Sequence, residues 1–233
     1  MLSKRHSQIL RILDGEGTVT IAALAGRLGV SPETVRRDLR PLAERGSVVR
    51  MHGAVGLAGQ LGEAPFLRRM RENAAAKQAI ARHFAATIRN GDSLMLDTGT
   101  TTSFLARALV GHQRLTVVTN STDAARILAA TGGNRVFLAG GEMRGDSGAM
   151  LGAAACDFAR RYSVEVAVIS AGALDAGGVM DFDPDEADFA RVVLRRGTRR
   201  VVLTDHSKFG RRGLVDVCSL GDIDELVTDS APD

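Results

Sequence analysis

Two groups of residues in this 233-residue sequence have the types and spacing to do chemistry. The first lies near the N-terminus, where Ser31, Glu33, Thr34, Arg36 and Arg37 cluster, with Arg50 and His52 following. Arginine can bridge O6 and N7 of guanine or clamp a phosphate, and serine and threonine can contact either. That is the chemistry of reading double-stranded DNA. The second group is a series of small polar residues, each placed just after a short apolar run. Asp97-Thr98-Gly99-Thr100-Thr101-Thr102 follows one run, Asn120-Ser121 a second, Gly140-Gly141 a third, Ala171-Gly172 a fourth, and Asp205, Ser207 and Lys208 a fifth. A Gly-Thr turn that opens a helix offers unpaired N–H groups, the positive end of the helix dipole and hydroxyl donors, which suits a phosphate. A plain threonine N-cap has the same sequence, so this element alone leaves both readings open. The turn lacks the G-x-x-x-x-G-K-[ST] spacing of nucleotide-binding phosphate loops. Lys208 is notable because only Lys4, Lys77 and Lys208 among the thirty Lys/Arg are lysine. A lysine past a strand end supplies a compact point charge to a ligand oxyanion, although an ordinary surface lysine would look the same.

The first group requires a rigid helical mount. Ile9, Leu10, Ile12 and Leu13 follow a helical period, and Gly15 and Gly17 are expected to end that helix. Thr20 reads as the N-cap of a second helix with Ile21, Leu24, Ala25 and Leu28 inward, and Gly29 breaks it. Val30 plugs the turn. Ser31 then caps a third helix with Pro32 in its first position, Val35, Leu39 and Leu42 on its core face, and a stop at Arg45-Gly46. Two short helices across a tight Gly-containing turn are a helix-turn-helix, whose second helix enters the major groove by its N-terminal end. Residues 47–55 alternate like a hairpin strand that carries Arg50 and His52 outward, as a wing along the phosphate backbone would.

The second group requires strand ends. After a helix over 74–88 with Ile80, Phe84 and Ile88 on one face, strands are predicted at 93–97, 115–119, 135–139, 164–170 and 199–204. Helices are predicted between them at 101–109, 122–130, 152–161 and 185–195. Such alternation implies a mostly parallel sheet covered on both faces, with ligands at the carboxyl ends of its strands.

Charge divides along the same line. Residues 1–60 hold nine Lys/Arg against five Asp/Glu, +4, and the remainder twenty-one against twenty-two, −1. A polyanion partner is therefore expected for the N-terminal part only. The absence of Trp and the single Tyr argue against stacking platforms for single-stranded nucleic acid. No apolar run approaches the ~20 residues of a membrane span, and MLSKRHSQIL lacks a signal-peptide core, so the chain reads as cytoplasmic with no membrane partner. Cys156 and Cys218 are far apart without metal-ligand spacing and read as buried free thiols; no metal and no cofactor are expected.

The run VSPETVRRDLRPLAERGSVVRMHGA closely resembles the DNA-binding signature of the DeoR (deoxyribonucleoside-operon repressor) family of bacterial regulators. The match lies in Val30, Ser31, Thr34, Val35, Arg36, Arg37, Asp38, Leu39, His52, Gly53 and Ala54, with one glycine after His52 where the family has a pair. The stretches LMLDTGTTTSFLARAL, LTVVTNS, VFLAGGEMR, DPDEADFARVVL and VVLTDHSKFG resemble that family's sensor domain, which shares its fold with ribose-phosphate isomerases. The resemblance spans almost the whole chain. It implies a winged helix-turn-helix at 1–57, a linker at 58–73 around GLAGQLG, and a Rossmann-like, phosphosugar-isomerase-like α/β sensor at 74–233. It also implies a sequence-specific regulator of a carbohydrate operon, a repressor released from operator DNA by a phosphorylated sugar. One small domain with a handful of basic residues cannot supply typical specific affinity, so a homo-oligomer, dimer or tetramer, is expected. Carried over by position, the effector contacts are Asp97, Gly99, Thr100, Thr101, Asn120, Ser121, Gly141, Glu186 and Lys208. GGVMDFDPDEA departs from the family pattern in Met180-Asp181 and in extra acid at Asp183 and Asp185, read as tuning specificity or repelling a second anionic group. No catalytic residue is expected. The alternative is a phosphosugar isomerase-like enzyme fused to a DNA reader, in which Asp97, Asp181, Glu186 and Lys208 do acid/base work.

Overall fold

The computed structural model describes residues 4–16, 19–51, 54–57 and 63–231, with the backbone alone at Asp14, Gly15, Arg50 and Met51. The chain separates into two compact units, Met1–Ala64 and Pro65–Asp233.

In the first unit, α1 (Lys4–Glu16) buries Ile9 and Leu13, one turn apart. Gly15 lies inside this helix and does not end it, since one glycine in a last turn costs only about 1 kcal/mol relative to alanine. Gly17 lies outside the described residues. After β1 (Val19–Thr20), the Thr20 hydroxyl accepts from Ala23 N at 3.1 Å and caps α2 (Ile21–Leu28). Gly29, at φ 63°, closes α2, and Val30 packs against the core. Ser31 Oγ accepts from Thr34 N at 3.2 Å and caps α3 (Pro32–Glu44). Val35, Leu39 and Leu42, spaced i, i+4, i+7, pack onto α1, α2 and the strands β2 (Val48–Met51) and β3 (Ala54–Leu57). These strands pair antiparallel, Val48 opposite Leu57 and Met51 opposite Ala54, and β3 also pairs with β1. The result is a helix-turn-helix with a three-stranded wing sheet ordered β1-β3-β2.

The second unit begins with α4 (Phe66–Arg69) and α5 (Ala74–Ala85), which buries Ile80 and Phe84. The chain then runs β4 (Ser93–Leu96), α6 (Thr100–Ala108), β5 (Thr116–Thr119), α7 (Thr122–Ala129) and β6 (Arg135–Leu138). The hairpin β7 (Glu142–Met143) and β8 (Met150–Leu151) leads into α8 (Ala153–Arg160), β9 (Val164–Ser170), β10 (Ala173–Asp175) and β11 (Gly178–Asp181). The unit ends with α9 (Pro184–Arg196), β12 (Gly197–Leu203), β13 (Val215–Cys218) and β14 (Glu225–Val227). Six strands form a parallel sheet in the order β14-β12-β9-β4-β5-β6.

Side-chain alternation explains why this sheet is sandwiched. Leu94, Leu96, Val166, Val168, Val201 and Leu203 pack with α5, α6 and α7 on one face. Met95, Ala167, Ile169 and Val202 pack with α8, α9 and the small antiparallel sheet β10-β11-β13 on the other. The five strands expected from sequence are all present within two residues. The sixth, β14, is too short to show a period, and the small sheet and the β7–β8 hairpin are held by partners distant in sequence. Among the described residues, no helix is long and apolar enough to cross a membrane.

Candidate functional site

On α3 the solvent face carries Glu33, Arg36 and Arg37, all exposed, with Thr34 half-buried beside them. Arg36 donates to Glu33 at 3.0 Å and Arg40 to Glu44 at 3.1 Å. Exposed pairs of this kind are worth roughly 0.3–0.5 kcal/mol, so Arg36 is easily turned to another anion. Asp38 points the other way, where the Arg5 guanidinium grips it and holds its carboxyl below the ordinary range. That pair ties α1 to α3 and sets the angle of the exposed face. Ser31 spends its hydroxyl on the cap and on Thr34 Oγ1, at 2.9 Å. The Arg50 side chain and His52 lie outside the described residues.

In the second unit, the strand order makes β4 and β9 neighbours although the chain leaves β4 toward β5 and β6 and returns to the other side at β9. This reversal opens a crevice between the loops that follow the two strands, where open α/β sheets bind ligands. Asp97, Gly99, Thr100 and Thr101 all stand there. Gly99 is extended, and a Cβ on it would lie 1.9 Å from Ser170 Oγ, so only glycine lets the β4 loop pass the end of β9. No side chain caps α6, and its first turn contains no acidic residue, so the first N–H groups of α6 have no helical partner. Thr102 turns its hydroxyl back to Asp97 O and Gly99 O, at 3.2 and 3.1 Å, which fixes the turn.

Asp97 is 6% exposed, accepts from Ser170 N at 3.0 Å through Oδ2, and leaves Oδ1 buried with no hydrogen-bond partner among the described residues. Burial pushes its carboxyl well above the usual carboxylate range; the Ser170 amide opposes the rise, and the nearby Glu186 and Asp181 charges add to it. Asp181 Oδ1 accepts from Phe182 N and Asp183 N at 2.6 and 3.0 Å. The start of α6 and the Asp97 carboxyl thus lie in one loop, with the Glu186 and Asp181 charges near enough to act on Asp97.

Other sequence-predicted residues have different surroundings. Asn120 is buried, accepts from Thr98 Oγ1 at 3.1 Å and donates to Met150 O at 3.1 Å, clamping the β4 and β5 loops to β8. Ser121 caps α7 by accepting from Ala124 N. Gly141, at φ 142°, would place a Cβ 2.5 Å from Leu151 O, a backbone reason for glycine at that position. The extra acids of the GGVMDFDPDEA stretch have local partners: Asp183 caps α9 and Asp185 takes Arg144 at 2.6 Å. Lys208 is half-buried in the 3-10 turn His206–Lys208 after β12, two strands from β4 and so about 10 Å across the sheet. Gly141 follows β6, two strands away on the other side, and has no side chain with which to span the gap.

Sequence reasoning missed Ser170, which reaches Asp97 only because β9 runs beside β4; it named Thr98 and Thr102 in the strand-end run without giving them a role, and it counted Lys77 without one. Lys77 is 3% exposed, donates to Arg69 O and Glu72 O at 2.6 and 2.9 Å, and sits 4.0 Å from the buried Asp205 carboxylate. Cys156 is buried as expected, whereas Cys218 is only half-buried, and burial raises its thiol to about 11. Cys218 lines a cleft of about 370 Å³ with Arg191, Arg195 and Arg200 by the amino end of β12, away from the strand-end crevice. Among the described residues, no group of three or more His, Cys, Asp or Glu is arranged to hold a metal.

Two family profiles match the chain: the DeoR-like helix-turn-helix domain over residues 5–60 and the DeoR C-terminal sensor domain over residues 72–230. The chain belongs to the DeoR family. Among its relatives in that family, the glycerol-3-phosphate regulon repressor of Escherichia coli (strain K12) is 33% identical over 231 residues, 99% of this chain and 92% of the relative. The lactose phosphotransferase system repressor of Staphylococcus aureus (strain N315) is 31% identical over 230 residues, 97% of this chain and 91% of the relative. Among solved structures, eIF2B delta from Chaetomium thermophilum is similar at TM-score 0.50 and 16% identity, covering 97% of this chain and 72% of that one. That likeness concerns the fold alone. The DeoR assignment accounts for both units, a DNA-reading helix-turn-helix followed by a sensor domain.

Proposed function

We propose that this DeoR-family regulator is a repressor of a carbohydrate operon, that it binds operator DNA through α3 and the wing, and that a phosphorylated sugar releases it. The observation that carries the effector reading is Asp97: a buried carboxyl with one unpartnered oxygen, set beside the uncapped start of α6. Amides at a helix start suit a phosphate, and carboxyls that accept or donate suit sugar hydroxyls. The names of relatives, repressors of glycerol-3-phosphate and lactose phosphotransferase regulons, support the same class of effector. In this reading Asp97, Gly99, Thr100, Thr101, Glu186 and Lys208 contact the effector. Asn120, Ser121 and Gly141 hold the loops that carry those contacts. On the DNA side, Arg36 and Arg37 read base edges or phosphates, Ser31, Glu33 and Thr34 add polar contacts, and the wing would contribute Arg50 and His52. The domain boundaries proposed are 1–57, 58–73 and 74–233, and the protein works in the cytoplasm, where its operator is.

A regulator leaves its effector chemically unchanged, whereas an isomerase-like enzyme converts it. The test is fluorescence anisotropy on a DNA fragment the protein selects from a random pool, titrated with glycerol 3-phosphate, ribose 5-phosphate and hexose phosphates at fixed ionic strength. One of these should release the DNA and be recovered intact. Release by none of them, or turnover of the one that releases, would overturn the reading.

A further inference from the structure

The segment through which the chain enters the sensor unit, Pro65–Asn73, is fastened at two points, both on loops at the carboxyl end of the sheet. At one point Phe66, 6% exposed, donates its N–H to Asp146 Oδ2 at 2.7 Å, in the β7–β8 hairpin that follows β6. At the other, Asn73 Nδ2 donates to Asp205 Oδ1 at 2.9 Å, in the loop that follows β12. Lys77 closes the second point. Its ammonium, buried at the start of α5, bonds the carbonyls of Arg69 and Glu72 and faces Asp205 Oδ2. Asp205 in turn accepts from Ser207 N at 3.1 Å and from Ser207 Oγ at 2.5 Å, shaping the turn that carries Lys208. Asn73 holds φ at 52°, a left-handed conformation that asparagine tolerates better than most residues with a side chain.

These bonds form one continuous path. A buried ammonium here needs both its carbonyls and its carboxylate, because losing any one leaves charge poorly compensated out of water. A change in the Asp205–Lys208 turn therefore cannot stay within the turn; it alters the fastening of Arg69, Glu72 and Asn73. N-terminal to Pro65, the chain leads to the helix-turn-helix unit.

We propose that Asn73 and Lys77 form a latch between the effector-contacting turn and the entry segment, so that an effector gripped by Lys208 shifts the chain leading to the DNA reader. Both are positioning residues: neither touches effector nor DNA. This rests on the effector reading above. An effector that prefers one setting of the latch shifts DNA affinity only to the extent of that preference.

The test uses the full chain with Asn73→Gly, which keeps the left-handed backbone and removes the amide, and Lys77→Met, which keeps the buried stem and removes the charge. The probe is whichever of glycerol 3-phosphate, ribose 5-phosphate or the hexose phosphates releases the parent from its selected DNA. Both variants are expected to bind DNA as the parent does and, when DNA-free, to bind the probe within threefold of the parent. The probe concentration for half-release should rise at least tenfold. Should Lys77→Met fail to fold, Asn73→Gly decides by the same split. Release at the parental concentration overturns the latch, as does probe binding lost in step with release, which would put these residues in the binding site itself. Failure of every probe to release the parent removes the effector reading instead, and the latch as a relay falls with it.

Discussion

Asp97 is where burial and ligand chemistry meet. Its carboxyl is raised by burial and by Glu186 and Asp181, so the folded chain holds a proton that the unfolded chain releases. The sign follows: below the ordinary carboxylate value of about 4 both states are protonated and folding is unpenalised. As pH rises above it, only the unfolded state ionises freely, and stability falls until the folded carboxyl also ionises. Asp97→Asn keeps an acceptor for Ser170 N and cannot ionise. Its melting temperature relative to the parent should therefore rise as pH goes from about 4 to 7; parallel melting curves across that range would contradict the assignment. Lys208 and Thr100 are tested at the same scale. Lys208→Ala and Thr100→Val should hold operator DNA at parental affinity yet ignore the sugar phosphate that releases the parent. Release at parental concentrations would put the effector elsewhere, and loss of DNA binding would make the two residues structural.

At the scale of the element, α3 separates two jobs that overlap in sequence. Its cap belongs to Ser31 and its exposed rim to Arg36 and Arg37. Removing a serine cap typically costs about 1 kcal/mol, so Ser31→Ala should lower the melting temperature of the DNA-binding unit while Ser31→Asp preserves it. Arg36→Ala and Arg37→Ala should leave stability alone and weaken operator binding. A lost base contact costs about 1–3 kcal/mol and relaxes preference at one position, whereas a lost phosphate contact weakens all sequences and flattens the salt slope. Quantitative binding to matched and mismatched fragments at several salt concentrations separates the two, and parental binding by both variants would mean that α3 faces elsewhere.

At the scale of the whole molecule, one helix-turn-helix with a handful of exposed arginines is too small a reader for the affinity specific regulators reach, and such domains bind paired half-sites as dimers. A dimer or larger assembly held by the sensor units is therefore expected in sedimentation at micromolar concentration. A monomer that still binds a single half-site tightly would contradict it.

What the sequence determined was whatever depends on neighbours along the chain. Thr20, Ser31 and the spacing of Val35, Leu39 and Leu42 specify capped amphipathic helices, because caps and 3.6-residue periods act within a turn or two. The apolar runs before Asp97, Asn120 and Asp205 specify buried parallel strands for the same reason. The tertiary structure alone decided what depends on residues far apart: that Gly99 is glycine because Ser170 passes it, that Asn120 is a clamp, and that Asp97 is buried beside Glu186 and Asp181. It also decided the role of Lys77, which looks in sequence like one more surface cation in an alanine-rich helix. Burial and charge pairing are properties of the assembled environment, and no local spacing encodes a separation of 128 positions between Lys77 and Asp205.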